Sequence, residues 1–257
     1  MPLAADLDTA LQNFAAKARV LVCLDFDGAV AELVADAMAA TPVPVNAEAV
    51  ERLSDLHGVD LAYVSGRPLD TLRQLAAPPA GTLLVGSHGA EKDLGPDSTG
   101  LQLDVAQQTA RQNILAALAD IVSRHEGAWL EQKPAGGAIH VRRIDDDVQA
   151  ESVLQQARDA LAHIDGVYPK EGKKILEAVV LQSTKGEAIE ELRTLLEPEA
   201  VLFVGDDITD EQGFAVLEAG DIGIKIGSGE TLAAHRLAGP SSLAQVLNRL
   251  ADLRAEA

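Results

Sequence analysis

Leu21-Val22-Cys23-Leu24-Asp25-Phe26-Asp27-Gly28 decides how the rest of the chain is read. An apolar run enters two aspartates one residue apart, then a glycine. The run is short enough for a buried strand, and in an open parallel sheet ligands bind beyond the carboxyl ends of the strands. Alternate residues of an extended chain point the same way, so Asp25 and Asp27 converge. Converging carboxylates repel unless a cation or a shared proton relieves them. A hard divalent cation with oxygen ligands does this directly. The same residues also make an ordinary turn after a strand, because Asp and Gly are turn formers. The motif therefore gains weight only from its company.

That company is present. Val59 to Val64 is a second apolar run and ends in Ser65-Gly66-Arg67-Pro68. Pro68 suits the first turn of a helix carrying Leu69, Leu72 and Leu75. A hydroxyl and an arginine before a helix N-terminus suit an anion. Thr82 to Val85 ends in Gly86-Ser87-His88-Gly89-Ala90-Glu91, and Ala200 to Val204 ends in Gly205-Asp206-Asp207-Ile208-Thr209-Asp210-Glu211. Ser183-Thr184-Lys185-Gly186 opens the helix that leads into the last run. A lysine there opposes the helix dipole and needs an anion to justify it. Helices are predicted at Ala4 to Ala18 and from Asn46, as N-cap, through Leu56. Strands alternating with helices predict a parallel α/β sheet.

The alternation breaks in the middle. Asp93 to Gly100 is a linker by composition. A long helix is predicted over Leu103 to His125, strands over Ala128 to Gln132 and Ala138 to Ile144, a helix over Asp146 to Ala162, and short strands near Gly166 to Pro169 and Lys174 to Leu181. That order is α+β in style and reads as an insert. The predicted division is 1–98 and 183–257 for the core and 99–182 for the insert. After the insert the alternation resumes, with a strand at Asp221 to Ile226 and two terminal helices.

Composition bounds the function. With 257 residues, 47% of them hydrophobic, the chain suffices for one large domain or a domain with an insert. The 21 basic and 40 acidic residues give a net charge of −19, which argues against nucleic acid or an anionic membrane as partner. The one cysteine, Cys23, lies inside the first strand and reads as a small buried apolar residue. No apolar run approaches the ~18 residues of a membrane span, and Met1 to Phe14 lacks the pattern of a signal peptide. A cytoplasmic monomer acting on a small molecule is the expectation.

Were these strands neighbours in one sheet, their polar ends would converge. Several carboxylates, a lysine and a hydroxyl form the inventory for phosphoryl transfer: a carboxylate nucleophile, a Mg²⁺ held by further carboxylates, and a cation and hydroxyl for the phosphoryl oxygens.

The ordered set Asp25-Phe26-Asp27, Ser65, Lys185 and Gly205-Asp206-Asp207-Ile208-Thr209-Asp210 resembles the four motifs of haloacid-dehalogenase (HAD) superfamily phosphatases. More narrowly, the chain is similar to the trehalose-6-phosphate phosphatase family from about Leu21 to Leu217. Ser65-Gly66-Arg67-Pro68, Ser87-His88-Gly89-Ala90-Glu91, Trp129-Leu130-Glu131-Gln132-Lys133, His140-Val141-Arg142 and Gly172-Lys173-Lys174-Ile175-Leu176-Glu177 carry that likeness. The resemblance implies an α/β fold, a HAD-like Rossmannoid parallel-sheet core with an inserted α+β cap domain. It implies hydrolysis of a disaccharide phosphate through an aspartyl-phosphate. Asp25 would be the nucleophile and Asp27 the acid and base, with Ser65 and Lys185 on the phosphoryl group. Asp25, the Asp27 carbonyl and Asp206 would hold Mg²⁺, with Asp207 or Asp210 helping directly or through water. Glu131, Lys133 and Glu177 would bind sugar hydroxyls, with Arg67, His88, Glu91, His140 and Arg142 as further contacts. Arg143 reads as a surface charge.

Two positions depart from the family pattern. Ala29 stands where a threonine is usual, and Ala178-Val179-Val180 follows Glu177 where an arginine often lies. The same inventory serves a related phosphatase for another sugar phosphate, or a catalytically silent sugar-phosphate-binding relative. The Glu131/Lys133/Glu177 set favours the trehalose substrate over the former. The intact Asp25, Asp27, Lys185 and Asp206 argue against the latter.

Overall fold

The strand that carries Asp25 is β1, Val20–Leu24, and every one of its residues is buried. The computed structural model describes residues 3–96, 98 and 100–256; Asp97 and Thr99, in the predicted linker, lie outside them. The chain divides into two compact units, Met1–Ser98 with Ser183–Ala257, and Thr99–Gln182.

In the first unit, helix α1 (Ala5–Ala15) precedes β1, and α2 (Pro44–Ser54), β2 (Val59–Val64), α3 (Leu69–Ala76), β3 (Leu83–Gly86) and β4 (Glu91–Asp93) follow. The second unit holds α4 (Val105–Arg124), β5 (Trp129–Lys133), β6 (Gly136–His140), α5 (Asp147–Leu161), β7 (Tyr168–Gly172) and β8 (Ile175–Val179). The first unit then resumes with α6 (Lys185–Leu196), β9 (Ala200–Gly205), α7 (Asp210–Phe214), β10 (Ile222–Ile226), β11 (His235–Leu237) and α8 (Leu243–Ala255).

The sheet of the first unit has the order β11-β10-β9-β1-β2-β3-β4. Its pairings are parallel except for β3 with β4. Alternate residues of β1 face opposite ways. Val20, Val22 and Leu24 join Phe14, Val50, Leu53, Leu72, Leu247 and Leu250 in one core. Leu21 and Cys23 join Ala188, Ile189, Leu192 and Phe214 in another. A sheet covered on both faces has near-continuous apolar strands, which is why β1 and β9 show no polar alternation. Leu24 pairs with Tyr63 on one side and Val204 on the other, so β1, β2 and β9 finish at one edge.

Local predictions fail at three places. Asn46 is not the N-cap of α2; that position is Val43. Asn46 is fully buried inside the helix, where its Nδ2 donates to the carbonyls of Val30 (3.1 Å) and Pro240 (3.0 Å) and its Oδ1 accepts from Ala244 N (2.9 Å). Glu91, Lys92 and Asp93 form an antiparallel edge strand where a linker begins in composition. One terminal helix, not two, ends the described chain, because His235–Leu237 pairs with β10 as a strand.

In the second unit, an antiparallel sheet of order β5-β6-β8-β7 lies against α4 and α5. Ile139 and Leu176 of the sheet meet Ile114, Leu118, Val153 and Leu154 of the helices in a separate core. Among the described residues no helix is long and apolar enough to cross a membrane.

Candidate active site

Asp25 follows the last residue of β1 and is 5% exposed. Its amide donates to Val204 O (2.9 Å), carrying the sheet pairing one residue further. Its Oδ1 accepts from Phe26 N (2.7 Å) and its Oδ2 lies 2.9 Å from Lys185 Nζ. Burial pushes this carboxyl up to about 7; the Lys185 ammonium pulls it down and Asp210 pushes it up.

Lys185 opens α6 and is 1% exposed. Thr184 caps the helix by accepting from Glu187 N (3.0 Å), while Glu187 accepts from Thr184 N (2.9 Å). This reciprocal box fixes the first turn and with it the root of the lysine. Lys185 Nζ donates to Asp210 Oδ1 (2.7 Å) as well as meeting Asp25. Burial alone would lower the lysine, but the charges of Asp25 and Asp210 hold it above its ordinary value.

The loop after β9 supplies the other carboxylates. Asp210 is fully buried, and its Oδ2 accepts from both Asp206 N and Asp207 N at 2.9 Å. Gly205 leaves room for it, since an added Cβ would sit 2.2 Å from the Asp210 carboxyl carbon. Oxygens of Asp25, Asp206 and Asp210 all lie within 4.8 Å of one another. Asp207 does not join them. Its Oδ1 accepts from Thr209 N (2.6 Å), Thr209 Oγ1 (2.7 Å) and Asp210 N (3.3 Å), which shapes the loop. The third carboxylate of the cluster is thus Asp210, whose own oxygens are spent on Lys185 and the loop amides.

Asp206 faces the loop after β1. Gly28 has φ +72, and an added Cβ would lie 2.1 Å from the Asp206 carboxylate. Only glycine serves there, for conformation and for space. Burial, then Asp210 and Asp207, push Asp206 up to about 6. Two carboxyls held above their ordinary range, with Asp210 beside them, leave the cluster in want of positive charge. All the donors are oxygens, as a hard cation requires. The site fits a metal ion held by Asp25 and Asp206, with Asp210 orienting.

Asp27 meets Arg67 in a two-point ion pair, at 2.5 Å for both Nε to Oδ2 and Nη2 to Oδ1. The guanidinium also lies over the Phe26 ring, 5.5 Å from its centroid. Ser65 is 1% exposed, just beyond β2, with its Oγ accepting from Arg67 N (3.3 Å). The loop after β3 is clamped on this turn, because Ser87 N donates to Arg67 O (2.8 Å) and His88 N to Ser65 O (3.0 Å). Ser87 and His88 both hold positive φ, 49° and 56°. Such backbone persists only where its surroundings enforce it. Glu91 is part of that enforcement: its Oε2 accepts from Ser87 Oγ (2.6 Å) and from Leu69 N (3.2 Å) at the start of α3. Its carboxylate is therefore engaged within the protein.

In the second unit, Trp129, Glu131 and Lys133 alternate along β5, on the face away from Leu130, which packs toward the helices. Lys133 Nζ donates to Glu177 Oε2 (2.7 Å), and His140 Nε2 lies 2.8 Å from Glu131 Oε2. Ala138 pairs with Glu131 on one side and Glu177 on the other, so a small residue separates the two carboxylates. Arg142 is exposed. Arg143, read as a plain surface charge, packs over Trp129 at 4.6 Å, and His140 stacks on the same ring at 4.5 Å. Arg111 donates to the Lys133 carbonyl (3.0 and 3.2 Å). The contacts of Arg111 and Trp129 are not legible in the sequence, since only folding brings their partners to them.

A trehalose-phosphatase family model matches residues 23–246. The bifunctional trehalose-6-phosphate synthase/phosphatase of Thermoproteus tenax is 32% identical over 248 residues, covering 95% of this chain and 33% of that protein. The trehalose-6-phosphate phosphatase of Escherichia coli is 34% identical over 187 residues, covering 70% of this chain and 66% of that one. The chain thus spans from a third to about two thirds of these relatives. The C-terminal domain of C. albicans trehalose-6-phosphate phosphatase superposes with a TM-score of 0.74 over 98% of each chain at 23% identity, a likeness of fold. On the family match and these identities, the chain belongs to the trehalose-phosphatase family.

Proposed function

We propose that this chain is a Mg²⁺-dependent phosphomonoesterase that hydrolyses trehalose 6-phosphate to trehalose and phosphate. The observation that carries the proposal is the buried group Asp25, Lys185 and Asp210 beside Asp206, at the edge where β1, β2 and β9 end. Family membership supplies the substrate class, and relatives bearing the name trehalose-6-phosphate phosphatase supply the sugar.

The positions suit a two-step phosphoryl transfer. An Asp25 carboxylate oxygen attacks phosphorus, and the bond from phosphorus to the sugar oxygen breaks. Asp27 gives that oxygen its proton. Water then attacks the aspartyl-phosphate, Asp27 takes its proton, and the bond from phosphorus to Asp25 breaks to free phosphate. With Arg67 engaging both Asp27 oxygens, proton delivery requires the fork to release at least one of them. Lys185 and the Ser65 hydroxyl hold phosphoryl oxygens as charge develops. Asp25, the Asp27 carbonyl and Asp206 would hold Mg²⁺, which when bound offsets the charge of phosphate and carboxylates. Glu131, Lys133 and Glu177 are assigned to sugar hydroxyls, since carboxylates and ammonium each serve more than one.

The test is phosphate release with Mg²⁺ from trehalose 6-phosphate, glucose 6-phosphate, sucrose 6-phosphate and mannosyl-3-phosphoglycerate. Strong preference for the first is expected. Preference for another member keeps the mechanism and discards the sugar, and release from none of them overturns the proposal.

A further inference from the structure

Lys225 is a buried charge that the chemistry above does not use. It lies on β10, one strand from β9, and is 4% exposed. A lysine is buried in such a strand at a cost unless it is paired and hydrogen-bonded. Here it is both. Its Nζ donates to the carbonyl of Asp207 (2.9 Å) and lies 3.2 Å from Glu211 Oε1. The other oxygen of Glu211 accepts from Leu232 N (2.8 Å) and Thr231 Oγ1 (3.2 Å). One ammonium and one carboxylate thus join β10, the loop after β9, and the segment entering β11.

The point of attachment matters. The amides of Asp206 and Asp207 are held by Asp210. The next carbonyl, that of Asp207, is held by Lys225. The backbone that carries Asp206 is therefore fixed on both sides, while its carboxylate is left toward Gly28 and Asp25. We infer that Lys225 and Glu211 are a positioning pair that aims Asp206 and so sets the affinity of the cluster for its metal ion, an inference that rests on the metal-dependent reading above. Loss of a partner that orients a metal ligand commonly costs about 10–100-fold in metal affinity or activity.

The experiment uses the full chain, stripped with chelator and titrated calorimetrically with MgCl₂ alone, alongside phosphate release as a function of Mg²⁺. Lys225→Met should weaken Mg²⁺ binding about tenfold or more, with most of the rate recovered at saturating Mg²⁺. Glu211→Gln, which keeps an oxygen for Leu232 but loses the charge facing Lys225, should weaken it by a smaller factor. Leu250→Ala in α8, which empties part of the core on one face of the sheet, should lower stability and leave Mg²⁺ binding unchanged. Unchanged Mg²⁺ affinity in Lys225→Met, with only stability reduced, overturns the inference. Should that variant not fold, unchanged affinity in Glu211→Gln and Thr231→Val overturns it equally. An unsubstituted protein that neither binds Mg²⁺ nor releases phosphate overturns the phosphatase reading and this one together. One that does both, with variants that bind equally well, overturns this one alone.

Discussion

Asp25 and Asp27 are two residues apart and of one type, yet their surroundings differ in kind. Asp25 is enclosed, shares Lys185 with Asp210, and is pushed up to about 7 by burial. Asp27 is partly exposed and gripped by Arg67. A nucleophile needs a fixed oxygen with a cation beside it; an acid needs room to take up and deliver a proton. Asp25→Asn should reduce release of phosphate from trehalose 6-phosphate to background while the protein stays folded, as circular dichroism would verify. Activity persisting in that variant would mean the nucleophile is another residue. Asp27→Asn should slow the same reaction by ~10²–10⁴-fold. In the first turnover with p-nitrophenyl phosphate, whose leaving group needs no proton, release of p-nitrophenol should slow far less, and an equal slowing of the first turnover on both substrates would deny Asp27 the acid role. The sequence displays both aspartates plainly. It does not display the grip of Arg67, because a residue 40 positions away meets Asp27 only once β1 and β2 pair.

Among the elements, α6 has the most to do with the site, since its first residue is the buried lysine. Its capping box, Thr184 with Glu187, is written in the sequence as Thr-Lys-Gly-Glu and is formed in the structure. Thr184→Ala should cost ~1 kcal/mol of stability, the usual worth of an N-cap, and should also lower phosphate release. Asp104→Ala removes the equivalent cap of α4. It should cost a similar ~1 kcal/mol without lowering phosphate release. Denaturant midpoints and phosphate release on the pair separate a cap from a cap that carries catalysis, and equal release from the two variants would sever α6 from the site. The elements that escaped the sequence did so for physical reasons. Asn46 looks like a cap because asparagine favours that position; three buried backbone groups recruit it instead. His235–Leu237 is too short to show a period of its own, and its pairing with β10 makes it a strand. By contrast β1 and β9 are apolar throughout and legible at once, since both faces of the parallel sheet are covered.

At the scale of the molecule the governing fact is an excess of acid, 40 acidic against 21 basic residues, part of it concentrated in one buried place. The convergence of strand ends that brings Asp206 to Asp25 is legible in the motif order. The displacement of Asp207 by Asp210 is not, because it depends on which carboxylate the loop amides claim. That concentration has a consequence for stability with a definite sign. Asp206 ordinarily titrates at 3.8 and is pushed up to about 6 in the folded protein, by burial first and then by Asp210 and Asp207. Between those values the folded state binds more protons than the unfolded one, so this group's contribution to stability falls as pH rises through the window and stays low above it. Asp206→Asn has no such proton to lose. In chelator, the variant should therefore gain on the unsubstituted protein as pH rises from roughly 4 to roughly 6, and hold that advantage at higher pH. Saturating Mg²⁺ near neutral pH should reverse the order. The ion binds only the folded protein and adds ~2.7 kcal/mol at a hundredfold excess over its dissociation constant, whereas the variant lacks a ligand for it. Denaturant midpoints for both proteins, at acid and neutral pH, with Mg²⁺ and with chelator, decide the matter. If the variant is the less stable of the two in chelator at neutral pH, the carboxylates are not in repulsion. A metal ion would then have no charge excess to relieve at this site.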